Sequence, residues 1–426
     1  MSPLDPRQRF KMERSQSKLS DALKRDVCAD YYEGYFSVTL HVKEKAPVLG
    51  EVVGVAGAAA GSKDAPRIEL SELGKAIERK WNEIPNFDPN VTLIEKQVMP
   101  EHFHGLLHMK RVEKRHLGRV IGGFMIGCTH AYWDCLGILW HKVPPKVCMQ
   151  DRDHTRSFRG PSLFERGYND VEPLTQEELE VKINYIRSNP ERRLIKRQCH
   201  EYFIVRWDMH SPNWTLQRLQ AALLADRGLK RQPAALAQAW QEVMGKVAIT
   251  DACATNNVLQ AEAGKSSRLS LSLAGNRALL TAGKRLLPLV CHRADAPYFE
   301  QQKDAVMREA RAGAIIVSAF ISPREREIRK ELMQESLPLI EVVDNGFSPR
   351  YKPCGQAFYA CARGLLLQIS PWVYKYQRDV RVSRPMCLVM NELVRCICKI
   401  PDDWWMAKRA VSGSEDSTGG DDVSGA

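Results

Sequence analysis

Two histidines one residue apart, His102 and His104, lie in the run V-M-P-E-H-F-H-G-L-L-H from Val98 to His108. On a β-strand alternate side chains share a face, so both imidazoles would project together while Phe103 turns to the other side. Paired imidazoles suit a divalent cation and leave positions open for an oxygen donor, water and a phosphate. Further along, Tyr185 and Asn189 stand i, i+4, so a helix would present both on one face. A phenol, with an ordinary pKa of about 10, is a weak nucleophile at neutral pH. A cation that polarises a phosphate and stabilises developing charge offsets that weakness. Asn189 is a hard oxygen donor that would complete a set with the two histidines. Each residue also has a plain structural reading: H-x-H as an ordinary strand pair, Tyr185 as packing. His108 extends the run to H-x-H-x-x-x-H and keeps a zinc-type site open as an alternative.

Basic residues gather around these positions. Lys182, Arg187, Arg192, Arg193, Lys196 and Arg197 surround Tyr185, against fewer acidic residues, Glu178, Glu180 and Glu191 among them. Lys110, Arg111, Lys114, Arg115 and Arg119 follow the histidine run. Such patches would hold phosphates, and Trp133, Phe164 and Tyr168 could stack on the bases of a single strand. A formal net charge of +11 agrees with a polyanionic partner, although solvated surface charge gives the same total.

The elements that must position these residues can be read from periodicity. Tyr35 to Val42 reads as a strand, Leu70 to Trp81 as a helix with Ser71 as its cap, and Val91 to Val98 as the strand entering the histidine run. Gly105 to Met109 continues extended, and Gly118 to Tyr132 reads as a helix despite its glycines. Thr175 to Ile186 is a helix with a capping-box start, which Asn189-Pro190 is expected to end. This order implies an α+β domain, an antiparallel sheet with helices. Helices follow at Trp214 to Leu229 and Pro233 to Met244. A βαβ rhythm then begins: strands at Leu286 to Cys291, Ala314 to Phe320, Leu337 to Val343 and Gly364 to Ile369, helices at Tyr298 to Ala312 and Pro323 to Gln334. Alternation of this kind predicts an α/β, Rossmann-like domain with a mainly parallel sheet.

Length and composition fit two domains. The chain has 426 residues, 44% of them hydrophobic, without an apolar run long enough to span a bilayer. The N-terminus has no apolar signal-like core, so a cytoplasmic protein without a membrane partner is expected. The twelve cysteines lack zinc-site spacing and read as reduced, buried thiols. The expected divisions are a flexible basic N-terminus (1–25), a domain over 26–207, a helical linker or insertion (208–275), the Rossmann-like domain (276–402) and a disordered acidic tail (403–426).

Four ordered blocks, I-E-L-S-E-L-G-K, M-P-E-H-F-H-G-L-L, L-F-E-R-G-Y-N-D and I-N-Y-I-R-S-N-P, resemble the single-tyrosine HUH transposases of the REP-associated type over residues 31 to 207. The resemblance implies a ferredoxin-like domain that cuts and rejoins single-stranded DNA next to hairpins. It implies metal binding by His102 and His104, a third ligand at Asn189, and Mg²⁺ or Mn²⁺ as the ion. It also implies that Tyr185 becomes joined to a DNA 5′ phosphate, and that the protein works as a homodimer. Two positions depart from the pattern: Met125 stands where relatives carry a lysine, and V-E-P-L follows L-F-E-R-G-Y-N-D in place of an apolar and basic run. Both put DNA contacts, not the catalytic four, in question. The rival readings are a domesticated, non-catalytic protein that binds hairpin DNA and, more remotely, a nucleotide-processing enzyme centred on the second domain.

The blocks G-A-I-I-V-S-A-F-I-S-P-R-E-R, P-L-I-E-V-V-D-N-G-F, K-P-C-G-Q and G-L-L-L-Q-I-S-P-W resemble the Rossmann-like superfamily of the DNA-processing protein A and lysine-decarboxylase-like proteins. Ligands in such sheets bind at the carboxyl ends of strands. Ser318, Ser322, Arg324, Glu325, Gly346, Lys352 and Ser370 fall there and form a candidate ligand loop for DNA or a nucleotide. Their plain alternative is turn formation. No G-x-G-x-x-G is present, so a dinucleotide is not expected.

Overall fold

The computed structural model describes residues 30–112, 116–138, 161–173, 175–250, 268–281, 283–349, 351–375 and 382–406. The expected flexible N-terminus, Lys114, Arg115 and the tail beyond Met406 lie outside them. Two compact units divide at Gln198/Cys199, earlier than the expected boundary at 207.

The first unit contains β1 (Gly34–His41), β2 (Gly50–Val53), β3 (Arg67–Leu70), α1 (Glu72–Asn82), α2 (Ile84–Phe87), β4 (Val91–Met99), β5 (His102–Met109), α3 (Leu117–Cys135), β6 (Asn169–Val171), α4 (Gln176–Arg187) and α5 (Asn189–Gln198). β2 and β3 pair as a separate ribbon. The main sheet has the order β4-β5-β1-β6, all antiparallel. With the ribbon set aside, the chain runs strand, helix, strand, strand, helix, strand in the ferredoxin-like manner. The expected antiparallel α+β class is therefore what the unit adopts.

Local chemistry starts the helices where the sequence places them. The Ser71 hydroxyl accepts from the Gly74 N–H at 3.0 Å, and the Thr175 hydroxyl from the Glu178 N–H at 3.1 Å. Each satisfies a helix N–H that has no partner within the helix. Packing then fixes the strand faces. Phe103, Leu107 and Met109 of β5 bury against Trp81 of α1 and Leu117, Ile121 and Phe124 of α3. Leu106, on the opposite face, packs with Leu179 and Ile186 of α4. The even-numbered residues of β5 thus share their face with α4.

Gly105 allows the close approach on the α1 side. A Cβ there would lie 2.4 Å from Cη2 of Trp81, a fully buried ring. α4 and α5 differ from expectation, because Asn189-Pro190 does not end the helical path. Ser188 keeps right-handed helical angles, and the Arg192 N–H donates to the Ser188 carbonyl at 2.9 Å. Pro190 falls in the first turn of α5, where its missing N–H leaves no hydrogen bond unmade.

The second unit contains β7 (Arg206–Met209), α6 (Leu216–Leu224), α7 (Arg227–Lys230), α8 (Pro233–Met244), β8 (Ile249–Thr250), β9 (Arg268–Leu269), β10 (Leu271–Gly275), α9 (Ala278–Thr281), β11 (Leu286–Pro288), α10 (Phe299–Arg311), β12 (Ile315–Ser318), α11 (Pro323–Gln334), β13 (Leu339–Val342), α12 (Gly355–Ala362), β14 (Leu366–Ser370) and α13 (Arg384–Cys398). Its six-stranded sheet has the order β11-β12-β13-β14-β10-β7, with the first four strands parallel. This is the expected mainly parallel sheet. Ile315 and Val317 face one core while Ile316 faces the other, so both sides of the sheet are covered.

The described residues of the stretch 208–275, expected as a linker or insertion, are part of this unit. β10 pairs antiparallel with β14, and β7 with β10. Leu219, Leu223, Ala239 and Val243 of α6 and α8 share a core with Val389, Met390, Leu393 and Val394 of α13. The sequence hides this because the covering helix lies far along the chain. Cys128, Cys361, Cys396 and Cys398 are buried free thiols. Burial pushes the Cys396 thiol up to about 11.

Asp226 ties two of these elements together. It accepts from the Gly228 and Leu229 N–H groups at 2.9 and 3.0 Å and from Arg384 Nε at 2.8 Å. The Leu229 N–H, followed by Arg384, holds its carboxyl below the usual range. A depressed carboxylate stabilises the fold above its unfolded value of about 3.9, and the gain is lost as pH falls through the folded value. Asp226→Asn is therefore expected to cost about 1 kcal/mol at pH 7, in a gap that closes below pH 4. Urea titrations at several pH values check this, and a constant gap refutes it. Gly105→Ala is expected to cost roughly 2 kcal/mol, since Trp81 has no space to retreat into. A wild-type urea midpoint for that variant contradicts the packing account.

Candidate active site

The face of β5 opposite Trp81 carries His102 and His104, and their Nε2 atoms lie 3.1 Å apart. The strand ladder sets this arrangement. Thr39 and His41 of β1 are the Cα partners of His104 and His102, and Gln97 and Met99 of β4 flank them on the other side. Thr39 Oγ1 lies 2.9 Å from His104 Nδ1. Glu101, in the turn between β4 and β5, places Oε1 3.6 Å from His102 Nδ1 and 3.0 Å from Arg193 Nη1. Each ring thus has an oxygen beside Nδ1 and turns Nε2 toward its neighbour.

Tyr185 sits over this pair. α4 packs on the same face of the sheet, and the Tyr185 ring meets the His104 ring edge-on with centroids 5.7 Å apart. Arg192, one turn into α5 and 8% exposed, holds its guanidinium 5.5 Å from the centre of the Tyr185 ring. Asn189 is buried, and its Nδ2 donates to the carbonyls of Tyr185 at 2.8 Å and Ile186 at 3.4 Å. With the amide nitrogen engaged, Oδ1 is the atom it can offer a cation.

The donor set fits a small divalent ion. Two nitrogens 3.1 Å apart match the edge of an octahedron with bonds of about 2.1 Å, which is about 3 Å long. Among the described residues, no three His, Cys, Asp or Glu side chains converge on a metal position. A cation held here would therefore rest on the two imidazoles, with its other positions left to oxygen donors, water and substrate. The zinc-type alternative is not assembled. His108 stacks on Tyr35 with centroids 4.5 Å apart, roughly 13 Å along the strand from His104.

Electrostatics at the pair follow from burial and neighbours. Contact with His102 is the main reason the Glu101 carboxyl stays below the usual range, working against its burial, and Arg193 adds to the effect. Burial chiefly, and then His102, pushes the His41 imidazole below its usual value. Thr39, His41 and Glu101 escaped the sequence reading. Glu101 stood in the open beside His102, whereas Thr39 and His41 become visible only with the β1–β5 register.

The basic residues separate into groups. Arg187 pairs with Glu95 at 2.5 Å, Arg193 with Glu101, and Arg111 with Asp30 and Glu33. Lys196 lies beside Arg193 and Arg192, and burial lowers its pKa. Lys182 projects half-buried from α4, and Arg197 is exposed on α5. Lys110 and Arg111 follow the far end of β5, roughly 25 Å from His102, and Arg119 is exposed in the first turn of α3. Lys110, Arg111 and Arg119 are therefore not gathered at the histidine pair.

In the second unit, the candidate ligand loop is spent on turns and a cap. Ser318 Oγ accepts from the Phe320 N–H, and Ser370 Oγ accepts from the Trp372 N–H while donating to the Asn345 carbonyl. Ser322 and Glu325 form a capping box, and Glu325 also accepts from the Cys291 and Ile321 N–H groups. Gly346 lies against backbone, where a Cβ would sit 2.3 Å from the Tyr374 nitrogen. Arg324 reaches toward the His292 carbonyl at 3.5 Å and Lys352 is exposed. The strands β11 to β14 follow one another in order, so no reversal opens a crevice at their carboxyl ends. Ser318, Ser322, Glu325 and Ser370 thus close turns and a cap.

No family model matches the chain. An uncharacterised protein of Haemophilus influenzae is 27% identical over 77 residues, 18% of this chain. The chain spans 37% of that relative's length. Two solved structures are similar to part of the chain. One is a REP-associated tyrosine transposase bound to a REP hairpin, 10% identical, covering 40% of this chain and 74% of its own, with a TM-score of 0.25. The other, a candidate transposase from Deinococcus radiodurans R1, is 12% identical and covers 37% and 91%, with a TM-score of 0.22. Likeness at this level does not carry a function across.

The sorting of charges can be measured with a fluorescent single-stranded oligonucleotide. Arg197→Ala is expected to weaken binding several-fold and lower the slope of log K against log salt by about 0.7, the loss of one phosphate contact. Arg187→Ala, whose charge is already met by Glu95, should leave affinity within twofold. The reverse order of effects would refute the sorting.

Proposed function

We propose that the first unit is a metal-assisted transesterase that cuts and rejoins single-stranded DNA beside hairpins, with Tyr185 as its nucleophile. The observation that carries this reading is the edge-on contact of Tyr185 with His104, above two imidazole nitrogens 3.1 Å apart. A phenol and a metal-binding pair from distant segments meet on one sheet face. The motif order described above supplies the substrate class.

His102, His104 and the Asn189 oxygen would hold Mg²⁺ or Mn²⁺, which supplies polarisation of the phosphate when bound. Tyr185 Oη attacks phosphorus, a phosphotyrosine bond forms to the 5′ side, and the bond to the 3′ oxygen breaks. The phenol proton is lost to solvent and one is returned to the departing 3′ oxygen, so no water is consumed and no energy source is needed. Rejoining is the reverse, with a 3′ hydroxyl attacking the phosphotyrosine. Arg192 keeps the Tyr185 ring in place through its face, while α5 offers Arg197 to the backbone of the strand.

Incubation of the full chain with hairpin-bearing oligonucleotides and Mn²⁺ should give a covalent adduct on a denaturing gel. Tyr185→Phe should abolish it, and His104→Ala should reduce it at least about a hundredfold. A Tyr185→Phe adduct, or no wild-type adduct with any flanking sequence, would end the catalytic reading.

A further inference from the structure

We infer that Thr39 and Glu101 are positioning residues that set the protonation pattern of the histidine pair, an inference that rests on the metal-binding reading above. A neutral imidazole carries its proton on one nitrogen, and the neighbour of that nitrogen decides which. A cation between the rings needs both Nε2 atoms bare, so both protons must sit on Nδ1. Each Nδ1 therefore needs an acceptor beside it.

The two acceptors come from different parts of the fold. Thr39 is the cross-strand partner of His104, and its hydroxyl lies 2.9 Å from His104 Nδ1, a hydrogen-bond distance. Glu101 belongs to the β4–β5 turn, and its Oε1 lies 3.6 Å from His102 Nδ1. At that length the Glu101 contact is electrostatic, not a formed hydrogen bond. Arg193 Nη1 grips the same oxygen at 3.0 Å, and the carboxylate group is 13% exposed. Glu101 Oε2 is buried and makes no hydrogen bond among the described residues, so the carboxylate has few places to go. Without these two oxygens, either ring could carry its proton on Nε2 and donate it to the other across 3.1 Å, a hydrogen bond that occupies both nitrogens a cation needs.

Thr39 makes the closer contact of the two, and its hydroxyl, which can donate or accept, is the acceptor when His104 carries its proton on Nδ1. Neither residue touches the reacting phosphate in this scheme. Both act through the imidazoles.

Two measurements test this on the full chain without DNA. In the first, MnCl₂ is titrated calorimetrically into wild type, Thr39→Val, Thr39→Ser, Glu101→Gln, His104→Ala and, as a control on exposed α1, Lys75→Ala. Thr39→Val is expected to weaken Mn²⁺ binding roughly 10–100-fold and Glu101→Gln by less, while Thr39→Ser, which keeps the hydroxyl, and Lys75→Ala stay within about threefold of wild type. In the second, ¹⁵N shifts of labelled histidines are recorded in the metal-free protein at pH 8.5, well above the ordinary imidazole pKa of about 6.5. His104 should carry its proton on Nδ1 in wild type and lose that preference in Thr39→Val. Finding His104 protonated on Nε2 in wild type, or Mn²⁺ affinity within twofold of wild type for both Thr39→Val and Glu101→Gln, would overturn the inference. If wild type binds no more Mn²⁺ than His104→Ala does, the metal-binding reading itself fails, and the ¹⁵N shifts still decide the role of Thr39.

Discussion

The first unit depends on the meeting of Trp81 with Gly105. The indole fills the space where a side chain would stand, which draws α1 down onto the middle of β5. Because strand side chains alternate, that single close approach settles the rest of the strand. Phe103 and Leu107 go into the core beside the indole, and His102 and His104 go to the other face. A one-residue slip would turn both imidazoles into the apolar core beside the indole, away from the oxygens of Thr39 and Glu101 that meet them now.

The opposite face is then completed by α4. Its own apolar residues, Leu179 and Ile186, seat on Leu106, directly beyond the histidine pair on the same strand face. That seating carries Tyr185 to His104, and across the Ser188 junction Asn189 bonds back to the Tyr185 carbonyl while Arg192 lies over its ring. The near-continuous path from α4 into α5 matters for this. Had the chain turned away at Asn189-Pro190, Arg192 would have been lost from the tyrosine ring and Arg193 from Glu101.

The second unit shows how polar residues at strand ends can serve the fold alone. Sequential parallel strands place α10, α11 and α12 against one core and α6, α8 and α13 against the other, leaving no reversal in strand order. The turns at the carboxyl edge must still satisfy their backbone N–H groups, and Ser318, Ser322, Glu325 and Ser370 do so. Residue types that suit a ligand loop are the same types that close a tight turn.

Local periodicity determined much of this protein. The strand at Tyr35 to Val42, the caps at Ser71 and Thr175, the faces of β5, and the parallel strands at Ala314 to Phe320 and Leu337 to Val343 all follow from neighbours in sequence. So did the candidacy of His102, His104, Tyr185 and Asn189, whose spacings are local. Tertiary structure decided what no window of residues contains. The β1–β5 register put Thr39 beside His104, and ion pairs with Glu95 and Glu101 distinguished Arg187 and Arg193 from exposed Arg197. The sharing of a core between α6, α8 and α13 turned 208–275 from an expected linker into part of a domain. Chain neighbours fix periodicity and caps, whereas pairing partners and covering helices are set by packing between segments far apart in the chain.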